Sequence, residues 1–412
     1  MNSLLQSDKS NLVTVALASL ALVIGVEAAL EMILSKAERR LGFFTSGVKT
    51  TKSMHLKKDS VLEIVPADKI YKENQLDILQ KCLNDGGPHG RFLNERHGYT
   101  HFTIDSVENG PSRKGLIVIC HGLGENTNDI QDYAQALVQN GYAVLRYDYY
   151  GHGYSCADRD YLSLTYDVDT LIDQLEDVLT FVFDETKEKL VAIGGLSTGG
   201  LLSIKAKERW LENPSDPRFE VEKIILMTPA IFANKPFLAK IADFFPRSFL
   251  FMLQHSKTMQ YIAGNTFITA LKDAYGYDLD THQSVDASEQ AKEVHLAERL
   301  LGRVKGIKGN ENFLMSILNI SSYALNHKLM KSHFESFGNL LRNDDQLEVL
   351  YLWGTLDSSV PFEKFHQNIH DLDHEYSKRL TFCPLQHLGH KLFQEDRKEQ
   401  TMTDRVIAFM AK

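Results

Sequence analysis

The stretch LVAIGGLSTGGLLSIKA, residues 190–206, decides the fold of this chain. Residues 190–193 form a short apolar run typical of a buried strand, and residues 201–206 have the composition of a helix. Between them, Gly195-Leu196-Ser197-Thr198-Gly199 fits the pattern G-x-S-x-G. A tight strand-to-helix turn lifts a serine hydroxyl clear of the sheet, and flanking glycines relieve the crowding in such a turn. We therefore expect Ser197 to be a nucleophile at the rim of a sheet.

Further apolar runs repeat the strand pattern on both sides of this turn, at 116–120, 142–147, 224–227, 349–353 and 380–385. Segments with helical spacing lie between several of them, for example at 130–137 and 169–183. Strands that alternate with helices pair in parallel, and the helices then cover both faces of the sheet. The sequence predicts an α/β fold with a mostly parallel, doubly wound sheet that binds ligands beyond the carboxyl ends of its strands.

Residues 231–330 interrupt this alternation with helical spacing and no strand-like run. We interpret them as a helical cap, or lid, inserted into an α/β core that comprises residues 46–230 and 331–412. The cap is rich in large apolar residues between Phe237 and Leu253. These residues either form the cap's own core or line an acyl-binding pocket and touch membrane.

The N-terminal residues 1–45 form a separate segment, predicted as a hydrophobic helix and possible membrane anchor. Residues 12–26 carry no charge. This uncharged run is shorter than the roughly 20 residues that span a bilayer. Positive charges follow this stretch, at Lys36, Arg39 and Arg40, and this bias favours a catalytic domain that faces the cytosol. The alternatives are a cleaved signal of the secretory pathway, a helix in the interface plane and a buried helix of a soluble protein.

A nucleophilic serine in such a fold is followed along the chain by an acid and then by a histidine. Asp357 follows the apolar run 349–353, although an aspartate there also suits a turn or a helix cap. His387 and His390 both follow the last run, and we favour His390 because Gly389 gives its ring an uncrowded neighbour. Ser197, Asp357 and His390 are the predicted catalytic triad.

Ester cleavage also needs hydrogen-bond donors for the oxyanion. The backbone N–H of Thr198, at the positive end of the following helix, is one candidate. The second is the N–H of Leu123, in the glycine-containing loop His121-Gly122-Leu123-Gly124 after the first parallel strand. His121 itself is interpreted as a structural residue, because no general base is needed on that strand.

These motifs resemble the monoacylglycerol lipase and lysophospholipase-like branch of the α/β-hydrolases, which shares its sequence family with serine aminopeptidases. The resemblance covers about residues 95–412 and is carried by the segments HGLGE (121–125), YDYYGHGYS (147–155), GLSTGG (195–200), TPA (228–230) and WGTLD (353–357). It implies the α/β-hydrolase fold, the Ser197–Asp357–His390 triad, oxyanion donors at Leu123 and Thr198, and a lid over an acyl pocket.

The chain departs from the branch's pattern around the site. The branch usually has His before the nucleophile and Met after it, where Leu196 and Thr198 stand here. The usual Arg before the Gly-His-Gly turn is Tyr150, and the usual His-Ser after Gly-Glu is Asn126-Thr127. These differences bear on the substrate more than on the mechanism.

The composition and charge limit which classes of partner and cofactor the chain is expected to bind. A net charge of −9 is unfavourable for nucleic-acid binding, which needs a concentrated cationic face. The histidines and the four cysteines show no metal-ligand spacing, so we expect no metal and no cofactor.

The leading hypothesis is a serine esterase or lipase that cleaves an acyl ester or lipid, such as a monoacylglycerol or lysophospholipid, through an acyl-enzyme. The alternatives are a serine aminopeptidase or amidase, with Asp278, Asp280 and Asp286 as candidates to bind an amino group, and a non-catalytic ligand-binding protein.

Overall fold

The computed structural model describes residues 62–65, 90–106, 114–157, 168–212, 216–232, 316, 320, 327–357, 359–390, 392 and 401–412. The predicted N-terminal helix, residues 1–45, and nearly all of the predicted cap, residues 231–330, lie outside the described residues. Within the described ranges, no helix combines the length and the apolar character needed to cross a bilayer.

Strands and helices alternate through most of the described chain. The strands are β1 (Glu63–Val65), β2 (Arg91–Glu95), β3 (Gly98–Asp105), β4 (Leu116–Cys120), β5 (Ala143–Tyr147), β6 (Cys156–Ala157), β7 (Leu190–Leu196), β8 (Lys223–Met227), β9 (Glu348–Gly354) and β10 (Leu380–Leu385). The helices are α1 (Gln131–Gln139), α2 (Val168–Thr186), α3 (Thr198–Glu212), α4 (His327–Asn343), α5 (Phe362–Glu375) and α6 (Thr401–Met410). Short 3₁₀ turns occupy Thr127–Ile130 and Pro217–Phe219.

In the described part of the chain, these strands form one sheet in the order β1-β2-β3-β5-β4-β7-β8-β9-β10, with β6 paired to β3. The strands from β5 to β10 along this order pair in parallel, as the sequence predicts. The chain winds from β4 to β5 in one direction and then returns to place β7 on the other side of β4. Loops that follow β4 and β7 therefore diverge at a topological switch point, where such sheets bind ligands.

Helices cover both faces of the parallel strands. Along β4, Val118 and Cys120 belong to an apolar cluster that includes residues of α2, α3, α4 and α5. Ile117 and Ile119 face the opposite cluster, which includes residues of α1 and α6. All five residues of β4 are buried because both faces of the strand are covered, which explains its uninterrupted apolar sequence.

The antiparallel strands β1, β2 and β3 were not predicted. The pairs β1–β2, β2–β3 and β3–β5 are antiparallel and extend the sheet beyond β5. Polar residues occupy buried positions in this region, among them Glu95, Thr100 and His101. A search for continuous apolar runs therefore does not detect these strands.

Candidate active site

Ser197 lies in the turn between β7 and α3, where the sequence predicts it. Its φ of 54° is in the left-handed region, which is uncommon for a residue with a side chain and typical of a strained turn. The Ser197 N–H donates to the Met227 carbonyl at 2.9 Å, and the Ser197 carbonyl accepts from the Ala230 N–H at 2.9 Å. The end of β8 thus holds both sides of this residue, and Ser197 is left partly exposed.

The glycines of the motif are required by close backbone contacts. A Cβ on Gly195 would lie 2.4 Å from the backbone of Gly199, and a Cβ on Gly199 would lie 2.3 Å from the Cys120 carbonyl oxygen. Neither contact can be relieved by a side-chain rotation, because the obstructing atoms belong to the backbone. Only glycine permits α3 to begin this close to β4, and so brings the loop after β4 next to the serine.

Asp357 and His390 follow the neighbouring parallel strands β9 and β10. Their loops are joined by main-chain hydrogen bonds, since the Leu356 N–H donates to the Leu388 carbonyl at 2.9 Å. The loops approach so closely that a Cβ on Gly354 would lie 2.2 Å from the Gly389 carbonyl oxygen. The distant positions 357 and 390 therefore come together through the backbone.

The side chains of these two residues form a buried pair. His390 Nδ1 lies 2.8 Å from Asp357 Oδ2, and the two residues are 6% and 4% exposed. The other carboxylate oxygen, Oδ1, accepts from the N–H groups of Ser359 and Val360, both at 2.8 Å. Asp357 is therefore fixed on one side by backbone donors and presents its second oxygen to the ring. His387, the alternative histidine, is exposed and its N–H donates to Thr355 Oγ1.

In a neutral imidazole, an Nδ1–H that donates to a carboxylate leaves Nε2 without a proton. Nε2 of His390 is then a base. This arrangement, an imidazole held in one tautomer by a buried acid, can remove a proton from a nearby hydroxyl.

The loop after β4 carries Leu123 to the same end of the sheet. Its shape is set by the buried Glu125, whose Oε2 accepts from the Gly122 N–H at 2.7 Å. A Cβ on Gly122 would lie 3.6 Å from the Leu196 carbonyl oxygen, so this loop borders the serine turn. Among the described residues, the Leu123 N–H has no hydrogen-bond acceptor. Thr198 is the first residue of α3, so the helix provides no acceptor for its N–H either.

His121 has both ring nitrogens engaged in this loop. Nδ1 donates to the Gly122 carbonyl at 2.7 Å, and Nε2 accepts from the Tyr149 N–H at 3.1 Å. Burial lowers the pKa of His121, which keeps the ring neutral. No ring nitrogen is left for proton transfer, in agreement with a structural role.

Asp148 anchors the same loop from the end of β5, and sequence reasoning assigned it no role. Its oxygens accept from the N–H of Thr127 at 2.7 Å and of Tyr154 at 3.0 Å, and lie 2.9 Å from His101 Nδ1. Burial alone would raise the pKa of this carboxyl, but His101 and the backbone donors lower it to about 2. The signal in the sequence is an aspartate between an apolar run and the glycine-rich turn Gly151-His152-Gly153.

One other reactive group near the site, the Cys120 thiol, is unsuited to catalysis. Burial raises the pKa of the Cys120 thiol to about 12, so this group stays protonated. Among the described residues, no cluster of three or more His, Cys, Asp or Glu side chains is arranged to hold a metal ion.

Comparison with known proteins identifies a matching family and similar folds. Residues 111–294 match the family model described as serine aminopeptidase, S33. No curated protein matches the sequence at a significant level.

Several solved structures share the architecture. MGS-M2, an α/β hydrolase enzyme from a Medee basin deep-sea metagenome library, has a TM-score of 0.53 at 15% identity, covering 78% of this chain and 97% of that one. A putative lipase from Acinetobacter baumannii has a TM-score of 0.51 at 17% identity, with coverage of 89% and 98%. The enol-lactonase from Burkholderia xenovorans has a TM-score of 0.50 at 15% identity, with coverage of 76% and 97%. At these identities the likeness concerns the fold.

Proposed function

We propose that this chain is a serine hydrolase of the α/β-hydrolase superfamily that cleaves carboxylic esters through an acyl-enzyme on Ser197. The observation that supports this most directly is the 2.8 Å contact between His390 Nδ1 and Asp357 Oδ2. A buried acid paired with a histidine is expected where an imidazole must become a cation during the reaction. The strained φ of Ser197 supports the same conclusion, because such strain is concentrated at functional sites.

In this mechanism, Nε2 of His390 removes the Ser197 proton as Oγ attacks the acyl carbonyl carbon. The carbonyl oxygen becomes an oxyanion and accepts from the N–H groups of Leu123 and Thr198. His390 then gives the proton to the leaving alcohol as the ester C–O bond breaks. Water attacks the acyl-enzyme by the same route, which releases the fatty acid and restores Ser197. Asp357 stabilises the imidazolium and remains ionised.

The proposed substrate is a small acyl ester or lipid with a single chain, of the monoacylglycerol or lysophospholipid type. The support is the motif resemblance together with the apolar content of residues 237–253, which lie outside the described residues. Such a surplus of apolar residues in a lid suits an acyl-binding pocket.

Labelling with a fluorophosphonate probe tests the nucleophile. We expect the full-length protein to be labelled and Ser197→Ala not to be. Ser203→Ala is a matched control in the helix that follows Ser197, because the buried Ser203 hydroxyl donates to the Gly199 carbonyl at 2.8 Å. Equal labelling of Ser197→Ala and the unaltered protein would refute the proposal. Ligand binding that stabilises the fold without hydrolysis of any ester would favour a non-catalytic role.

A serine aminopeptidase or amidase is the second candidate, favoured by the description of the matching family. The acidic residues that would bind an amino group, Asp278, Asp280 and Asp286, lie outside the described residues. The rates of hydrolysis of p-nitrophenyl esters, monoacylglycerols of graded chain length and aminoacyl-amides distinguish the two candidate functions. Faster turnover of the amides than of any acylglycerol would favour the peptidase.

We also propose that residues 1–45 attach the enzyme to a membrane, with the catalytic domain in the cytosol. The support is the uncharged run 12–26 and the positive charges that follow it. Carbonate extraction of full-length protein, compared with a chain beginning at Ser46, tests this. Release of both forms into the soluble fraction would refute attachment, and a cleaved N-terminus in the mature protein would favour the secretory alternative.

A further inference from the structure

Thr198, the residue after the proposed nucleophile, has a hydroxyl group with no hydrogen-bond partner among the described residues. The residue is 6% exposed, and its Oγ1 is shielded from solvent. Buried polar groups in folded proteins are nearly always paired, because an unpaired one loses its hydration without compensation. An exception beside the reactive residue of a site therefore calls for a functional explanation.

The local structure explains why the free protein offers no partner. A serine or threonine inside a helix commonly donates to the carbonyl four residues earlier, as Ser203 does to Gly199 at 2.8 Å. Thr198 is the first residue of α3, and the residue four positions earlier, Gly194, belongs to β7 and pairs with Ile225. The helix has not yet begun where Thr198 would need an acceptor.

Covalent geometry limits the distance between this hydroxyl and the backbone nitrogen of the same residue. A threonine oxygen lies within about 4 Å of the nitrogen of its own residue. That nitrogen is the oxyanion donor in the proposed mechanism, at the positive end of a 15-residue helix. In the χ1 rotamer that turns Oγ1 toward its own N–H, the hydroxyl reaches an acyl oxygen bound to that N–H.

We propose that the Thr198 hydroxyl donates a hydrogen bond to the acyl oxygen of the substrate as this oxygen becomes an oxyanion. Thr198 would then supply two donors, its N–H and its O–H, and Leu123 a third. This inference rests on the proposed ester hydrolysis. The acyl oxygen is the acceptor that the free protein lacks, so the hydroxyl is paired only while the substrate is bound. The contact is worth most in the transition state, where the oxygen carries negative charge.

If the Thr198 hydroxyl is unpaired in the free protein, its removal should lower activity without lowering stability. Thr198→Val keeps the shape of the side chain and removes the hydroxyl. We expect its thermal midpoint to be unchanged or raised, because a buried polar group without a partner is lost. We expect kcat to fall about 100-fold with little change in KM, as when one oxyanion donor is removed. Thr198→Ser, which retains the hydroxyl, should keep kcat within about threefold of the unaltered enzyme.

Thr103→Val is a matched control. Thr103 lies on β3, and its Oγ1 is also buried without a partner among the described residues. The same substitution there should leave kcat unchanged. Thr198→Ala is a second variant without the hydroxyl, to be used if Thr198→Val folds poorly, and the same loss of kcat is expected. Inhibition by an aliphatic trifluoromethyl ketone, whose adduct with serine carries an oxyanion, should weaken by a similar factor.

The outcomes separate this inference from the proposed function. If the unaltered enzyme hydrolyses esters, Ser197→Ala does not, and Thr198→Val keeps kcat within threefold, the role of the Thr198 hydroxyl is refuted and the proposed function stands. Loss of activity in Thr198→Ser equal to that in Thr198→Val would also refute it. If the unaltered protein neither hydrolyses esters nor reacts with the ketone, both proposals fail.

Discussion

Glu95 offers a direct test of the electrostatics of this fold. The residue ends β2, is 5% exposed, and accepts from Tyr150 Oη at 2.5 Å, Thr100 Oγ1 at 3.2 Å and the His97 N–H at 2.8 Å. Burial raises the pKa of this carboxyl from 4.5 to about 7, although the hydrogen bonds from Tyr150 and His97 lower it. Glu95→Gln replaces the carboxyl with a group of the same shape that stays neutral at every pH.

The sign and size of the effect follow from the pKa. Because the folded pKa lies above the unfolded one, the folded state binds the proton more tightly. The contribution of Glu95 to stability is complete below pH 4.5 and is lost as the pH rises to about 7. The free energy of unfolding should fall by up to about 1.4 kcal/mol for each pH unit in this window, about 3 kcal/mol in all.

Chemical denaturation of the two proteins at pH 5, 6, 7 and 8 measures this directly. Glu95→Gln and the unaltered protein should have similar stability at pH 5, and the variant should be more stable by about 3 kcal/mol at pH 8. Glu212→Gln, at an exposed position, controls for the loss of a carboxylate elsewhere. If the stability difference between Glu95→Gln and the unaltered protein is the same at all four pH values, Glu95 does not titrate between pH 5 and 8 and the reasoning is wrong.

Three substitutions test the site and its scaffold. Gly199→Ala should destabilise the protein by about 3 kcal/mol because the new Cβ would lie 2.3 Å from the Cys120 carbonyl oxygen, and thermal denaturation with little change would contradict this. Gly338→Ala, in α4 with no atom within 4 Å of the new Cβ, should instead stabilise by about 1 kcal/mol in the same assay. Asp357→Asn should lower kcat for p-nitrophenyl esters about 10⁴-fold. The two backbone donors orient the amide oxygen and leave the NH₂ group facing His390 Nδ1, so the ring proton is forced onto Nε2. A kcat above a tenth of the original would argue against this.

The parallel half of the fold could be predicted from the sequence because its strands other than the edge strand β10 are buried on both faces. Runs such as 116–120 and 349–353 consist of apolar residues throughout, and both are observed as buried strands. The turn at Ser197 could be placed because the crowding around it admits only glycine at 195 and 199. The match of residues 111–294 to the family model described as serine aminopeptidase, S33, agrees with the resemblance noted in the sequence. The triad and the oxyanion donors remain predictions about catalysis.

The antiparallel half could not be predicted, because its buried positions hold polar residues whose partners are far away in the sequence. Thr100 accepts from Gln174 at 2.8 Å, and His101 lies against Asp148. Each group is acceptable in the interior only because its partner is present. A pattern based on apolar periodicity cannot anticipate such pairs, since nothing local in GYTHFTID (98–105) shows that a partner exists.

The backbone, more than the side chains, determines where the proposed catalytic groups lie. Ser197 is bound through its N–H and carbonyl to Met227 and Ala230, and the intervening Thr228 donates its N–H to the Leu352 carbonyl at 2.8 Å. β9, to which Leu352 belongs, leads directly into the loop of Asp357. These main-chain bonds do not depend on the side chains at 196 and 198, where the chain departs from the branch's usual residues. The departures can therefore change how the site stabilises the reacting oxygen, as proposed for the Thr198 hydroxyl, while the serine and the Asp357–His390 pair stay in place.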